Sequence, residues 1–537
     1  MKKKILCKLI ALLVAAALTL TGCGFVDFGG YFRQLGNYFT GNMVTAFADM
    51  EYTRPDMDKF RAQVERVNKA VEDGSSVEAL MEQVYLLNEL YYNFHTNMSL
   101  ANIYYCQDLE SAEWSEEYSF CMENSSDVTA AIDQLYYALA KHPNRTELEK
   151  EEYFGEGFFD DYEGESLWTE EFTALMEQET ALISEYYALS AAAVDEDYRT
   201  EAFYNGTGRE MAELYVELIA LRQQIAASAG YASYPEFAYS FYYNRDFTPE
   251  QAQVLLSGIQ KELAGMYRQM DNPYGQECTE EQTFDYVKTA ATAMGGKVKE
   301  AFSQMEKLGL YDIRHSEKKY NASFECYLYS YGVPFIFMNP TLEIRDKLTF
   351  AHEFGHFCNE YVSRGSRVGV DVAEFFSQGM EYLSLTYGRD TEALRERKML
   401  DCLALFVEQS GYAMYEQRVY ALEGDQLTAD NVIAEFGRIG EEFGFDSRGI
   451  DSRAFVQITH FYTNPMYILS YVISNDAALQ LYEMELASKG AGLALFTENL
   501  DIQVAGFGEF IQTAGLNDPF APDRAEQIRK VIQAAIQ

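Results

Sequence analysis

Along most of this chain apolar residues recur every three or four positions, the period of a helix with one buried face. Leu80, Val84, Leu87 and Leu90 fall on one side of a helix predicted over 77–93. Segments 55–71, 128–139, 169–191 and 210–228 are patterned in the same way. Asp73-Gly74 and His142-Pro143-Asn144 supply turns between them. Thr248 stands where a cap belongs, before a helix predicted over 249–271. A further helix over 283–308 has a break at Gly295-Gly296. The first half therefore reads as layered helices with hardly any strand.

The pattern changes at Cys326. Tyr327-Leu328-Tyr329-Ser330-Tyr331 and Val333-Pro334-Phe335-Ile336-Phe337-Met338 read as two short strands around Gly332. Pro334 has no amide hydrogen to give, which restricts it to a sheet edge or a strand start. An open edge here would let an extended peptide add as a further strand; the plainer reading is a buried hairpin. Helical spacing then returns through Leu342, Leu348, Ala351, Phe354 and Phe357, over 371–387, and over most of 392–537.

Within the first of these helices lies His352-Glu353-Phe354-Gly355-His356. On a helix His352 and His356 sit one turn apart on one face, so both imidazoles can reach one metal ion. Glu353, beside the first histidine, is placed to take a proton from a metal-bound water. Gly355 costs roughly 1 kcal/mol against alanine in a helix interior, so it implies a close neighbour. Two histidines do not complete a catalytic zinc site, which wants three protein ligands and one open position. Glu374 is the candidate third ligand, although Asp371-x-x-Glu374 is also a capping-box pattern. The chain has 6 histidines; His95, His142 and His315 show no ligand spacing. The sixth, His460, opens His460-Phe461-Tyr462 and precedes Tyr467 and Tyr471.

Composition adds a location. Lys2, Lys3 and Lys4 precede an apolar stretch that ends in Leu20-Thr21-Gly22-Cys23. This has the form of a secretory signal over 1–22 with a lipoprotein processing box, which would leave Cys23 lipidated. Residues 23–48 are expected to form a tether, 49–320 an N-terminal helical region and 321–537 a metal-binding catalytic region. The expectation is an extracytoplasmic protein anchored to a bacterial cell membrane through lipid on Cys23. Net charge is −42, and −46 without residues 1–22, which carry four lysines and no acid. Such a surface repels nucleic acid and favours cationic ligands. Disulfides are permitted outside the cytoplasm; Cys106 and Cys121 are the one pair close in sequence, and none is assigned.

Three stretches together resemble the thimet oligopeptidase and oligopeptidase F family of zinc metallopeptidases. They are His352-Glu353-Phe354-Gly355-His356, then Asp371-x-x-Glu374-x-x-Ser377-Gln378-x-x-Glu381, then His460-Phe461-Tyr462 with its spaced tyrosines. Tyr52-Thr53-Arg54-Pro55 is similar to the start of the family's body. The resemblance implies a mainly α, two-lobed ellipsoid of zincin-like, gluzincin type, with a deep substrate channel and a small β-sheet beside the zinc helix. It implies one zinc ion per chain on His352, His356 and Glu374, with Glu353 as general base. His460 and a tyrosine, Tyr467 before Tyr471, would donate to the oxyanion. Short unstructured peptides would be the substrates of a monomeric endopeptidase. The tyrosine spacing is shifted by about a residue from the family pattern, with Asn464-Pro465 intervening, and the lipoprotein signal departs from mainly intracellular relatives.

Two other functions fit the same residues. A peptide-binding lipoprotein with little turnover would be expected to have lost Glu353 or a ligand, and neither is lost. A helical zinc carboxypeptidase would need a cation for the substrate's terminal carboxylate, for which Arg345, Arg364 and Arg367 are available.

Overall fold

The computed structural model describes residues 45–150, 153–193, 197–270, 275–365, 368–504 and 506–536. The signal over 1–22, Cys23 and the tether up to residue 44 lie outside them. Phe47 already belongs to the body, its ring 4.2 Å from that of Phe335. Among the described residues no helix is long and apolar enough to cross a membrane. Their six cysteines are free thiols, Cys106 and Cys121 included.

The fold is mainly α. The first half is built from α1 (Met57–Glu72), α2 (Val77–Gln107), α3 (Ala112–Ala140), α4 (Glu170–Ala192), α5 (Thr207–Ser228), α6 (Tyr234–Phe241), α7 (Pro249–Tyr267), α8 (Glu280–Met294) and α9 (Gly296–Leu308). Side-chain caps start several of them, Asp56 on α1, Ser76 on α2 and Ser111 on α3. Thr248 and Gln251 form a capping box on α7. Two helices, α2 and α3, are longer than their amphipathic pattern predicts. In α2 the run continues past Asn93 because Thr96, Asn97 and Asn102 are buried polar residues. Asn97, for example, accepts from the Thr53 amide.

Three strands form one sheet in the order β1 (Tyr311–Asp312), β3 (Val333–Met338), β2 (Ser323–Leu328). β1 runs parallel to β3, pairing Tyr311 with Ile336, and β2 antiparallel, pairing Tyr327 with Pro334. The sheet therefore crosses residue 320. The first predicted strand is displaced: Tyr329–Tyr331 is a 3-10 turn closed by Gly332 at φ +65. Thr96 holds that turn by accepting from the Ser330 amide. Pro334 does stand at a strand start, but in the central strand and not at an edge. β1 reaches only Ile336 and Phe337, so Pro334 needs no hydrogen-bond partner on that side. The edge strand beside the next helix is β2.

That helix is α10 (Asp346–Ser363), followed by α11 (Val370–Tyr387), α12 (Glu392–Val419), α13 (Ala429–Phe443), α14 (Ile468–Ala487), α15 (Phe507–Thr513) and α16 (Arg524–Ile536). Leu342 is not part of α10. It is 37 % exposed at φ +63, where Asp346 accepts from the amides of Thr341, Leu342 and Glu343. α11 lies between α10 and α14. A Cβ on Gly355 would stand 2.4 Å from the Phe376 carbonyl oxygen and 2.6 Å from Ser377 Cα. Glycine is thus required because the backbones of α10 and α11 meet there.

Candidate metal centre

His352 and His356 project from one face of α10, ring centroids 5.1 Å apart. Glu374 faces them from near the start of α11. Its Oε2 is 3.4 Å from His352 Nε2 and 3.9 Å from His356 Nε2. One donor atom from each of the three lies within 4.8 Å of the other two. Two imidazoles and a carboxylate converging in this way suit zinc, and leave one of four tetrahedral positions for water or substrate.

Glu374 does not cap its helix. The N-cap is Gly369, and no side chain bonds the helix start. Instead Ser377 Oγ donates to Glu374 Oε2 at 2.9 Å and Tyr467 Oη to Oε1 at 3.0 Å, which together orient the carboxylate. Asp371, the other half of the capping-box pattern, accepts from Arg245.

His352 is oriented from behind. Its Nδ1 donates to Glu381 Oε1 at 2.9 Å, and Lys398 Nζ donates to Glu381 Oε2 at 2.8 Å. A carboxylate can only accept, so Nδ1 carries a proton and Nε2 is the atom turned toward Glu374. Sequence reasoning assigns neither Glu381 nor Lys398 a role. Glu381 lies two helical turns beyond Glu374 on the same face, a usable signal. Lys398 comes from α12 and leaves no signal at all.

Burial weighs on every ionisable group here. It pushes the Glu353 carboxyl up to about 7, against the opposing pull of His352. A carboxyl poised near neutrality can both take and return a proton. Burial disfavours charged His352, but its bond to Glu381 and the charges of Glu374 and Glu381 win, raising it to about 9. For His356 burial prevails and pushes it down to about 4. Burial also works against the Glu381 carboxylate, yet Lys398 and His352 hold it at about 2.

The third sequence stretch arrives from the far side. His460 lies on a short helix (Thr459–Thr463), while Tyr467 precedes α14 and Tyr471 lies in its first turn. Ring centroids are 5.5 Å apart for His460 and Tyr467 and 5.2 Å for Tyr467 and Tyr471. Tyr471 Oη is 3.5 Å from His460 Nε2. Burial pushes His460 down to about 4, so its ring is neutral at pH 7. The structure thus gathers His352, Glu353, His356 and Glu374 with all three residues of the C-terminal stretch. Of the three arginines, Arg345 is 3.9 Å from Asp401, Arg364 ends α10 at φ +58, and Arg367 lies outside the described residues.

Residues 47–167 match the Peptidase M3 N-terminal domain family. The chain is 24% identical over 295 residues to oligopeptidase PepF of Bacillus subtilis (strain 168). That match takes in 50% of this chain and 42% of the relative, so less than half of the relative's length is spanned. A crystal structure described as an oligoendopeptidase F superimposes with a TM-score of 0.78 at 19% identity, covering 92% of this chain and 98% of its own. PZ peptidase A with an inhibitor superimposes with a TM-score of 0.76 at 18% identity, covering 91% and 99%. The fold, helical with a small three-stranded sheet, is the one these peptidases have.

Proposed function

We propose that this chain is a peptidase of the M3 family, a zinc-dependent metalloendopeptidase that hydrolyses short unstructured oligopeptides. The observation that carries this reading is the convergence of His352, His356 and Glu374, with Glu353 next to the first histidine, on an oligoendopeptidase-like fold. His352, His356 and Glu374 would hold one zinc ion. When bound, zinc polarises the scissile carbonyl and lowers the pKa of a coordinated water towards 7.

The remaining steps belong to the chain's own groups. Glu353 takes a proton as the water oxygen bonds to the carbonyl carbon, and delivers it to the amine nitrogen as the C–N bond breaks. His460, neutral and buried, donates to the developing oxyanion together with Tyr467 or Tyr471. The substrate backbone lies along the open side of β2, pairing as an added strand. A monomer suffices for this, since every group named comes from one chain.

A quenched fluorescent peptide library, incubated with residues 24–537 with and without chelator and beside Glu353→Gln, tests the reading. Internal cleavage abolished by both treatments is the expected result. One zinc per chain with no cleavage would instead favour a peptide-binding protein, and release of single C-terminal residues a carboxypeptidase. We propose further that Cys23 carries lipid and anchors the enzyme outside the cytoplasm, on the strength of Leu20-Thr21-Gly22-Cys23. Fatty-acid labelling that survives Cys23→Ala would refute this.

A further inference from the structure

Arg245 lies just beyond α6, far in sequence from the metal motif, yet its side chain is fully buried against Asp371 of α11. Nε and Nη2 donate to the two carboxylate oxygens of Asp371 at 2.9 and 3.2 Å. Nη1 donates to the Met466 carbonyl and Nη2 to Ser470 Oγ, each at 3.0 Å. Asp371 stands one turn before Glu374 on α11. Met466 and Ser470 are the residues immediately before Tyr467 and Tyr471. The guanidinium stacks against the rings of Tyr239 and Tyr243, 4.4 and 4.5 Å from their centroids, which fixes its plane.

The segment it grips does not hold its shape unaided. Met466 has φ +68, the left-handed region that a side chain with a Cβ disfavours. Buried side chains tie both of its polar backbone groups, since the Met466 amide donates to Glu416 Oε1 at 2.7 Å and its carbonyl accepts from Arg245. Tyr243 Oη donates to the Pro465 carbonyl at 2.7 Å. At the other end Arg222, paired with Glu179, donates to the carbonyls of Phe461 and Tyr462, which flank His460 on its C-terminal side.

We infer that Arg245 is a positioning residue of the metal centre, one planar guanidinium holding the Glu374 helix and the Tyr467–Tyr471 segment in register. A lysine is a point charge without the fork and cannot make these bonds together. The catalytic consequence rests on the peptidase reading above; the positional one does not.

Arg245→Lys in the full mature chain, loaded with zinc, tests it through two readouts. The first is peptide hydrolysis. We expect kcat to fall about 10- to 100-fold, as misplacement of about an ångström does, with KM within about threefold and one zinc retained. The second is amide hydrogen exchange, expected to rise about tenfold or more over residues 464–471 and to stay unchanged in α10. Unchanged kcat with unchanged exchange at 464–471, or exchange raised evenly throughout, would reduce Arg245 to an ordinary core ion pair. Should Arg245→Lys not fold, Ser470→Ala removes one of its contacts and is expected to shift both readouts in the same direction; no shift in either overturns the inference. A wild-type chain that cleaves nothing defeats the peptidase reading and leaves exchange to decide on Arg245.

Discussion

Tyr467 Oη donates to Glu374 Oε1 at 3.0 Å, joining the tyrosine just before α14 to a candidate metal ligand on α11. Tyr471, one turn on, lies instead 3.5 Å from His460 Nε2. The two hydroxyls should therefore separate experimentally. Tyr467→Phe is expected to weaken zinc binding about tenfold, the size of an outer-shell loss, and to slow turnover. Tyr471→Phe is expected to cost on the order of 100-fold in kcat with zinc affinity kept. Chelator competition and peptide kinetics on both variants check this, and identical behaviour would refute the division of roles.

Glu381 should matter for metal retention, although it does not face the donor triangle. Its carboxylate fixes the His352 ring and is itself neutralised by Lys398. Glu381→Ala is expected to weaken zinc about 10- to 100-fold, read from the chelator concentration that strips half the metal. Full retention would mean that packing alone orients His352.

Gly355→Ala is expected to destabilise the fold even though alanine is the better helix former. The added methyl would meet the Phe376 carbonyl and Ser377 Cα of α11 at 2.4 and 2.6 Å, main-chain atoms that cannot rotate away. Overpacking of this kind costs about 1–3 kcal/mol, and here it also pushes Glu374 from the histidines. A lowered Tm accompanied by weaker zinc binding is the expected pair of results. A Tm at or above wild type would contradict the contact.

Glu416 sets a pH dependence of stability. Burial pushes its carboxyl up to about 8, opposed by the Met466 amide and the nearby arginines Arg222 and Arg245. The folded state then holds a proton that the unfolded state releases near 4.5, so stability from this group is greatest at low pH and declines as pH rises to about 8. At 1.36 kcal/mol per unit the full effect has a ceiling on the order of 5 kcal/mol. Glu416→Gln, neutral throughout, should flatten the decline of Tm between pH 5 and 8 relative to wild type. Parallel curves would show that Glu416 is already ionised across that range.

What was legible in the sequence was whatever one element carries by itself. His352, Glu353 and His356 are spaced along a single helix, and Glu374 lies on the next. The second chemical layer was hidden because it is made by contacts between distant elements. Lys398 reaches Glu381 from α12, and Arg245 reaches Asp371 from the first half of the chain. Periodicity understates helix length where polar side chains are buried, as Asn97 is within α2, since it counts only apolar faces. The start of the edge strand leaves no period-two signal because Ser323, Phe324, Glu325 and Cys326 are all only half-buried.

The main-chain contact at Gly355 carries a consequence for how such a centre tolerates change. The spacing between the two helices that bear the donors is set by peptide atoms touching peptide atoms, a distance no neighbouring side chain defines. At this contact the centre depends on one hydrogen atom, the one on the Gly355 Cα that occupies the place of a side chain.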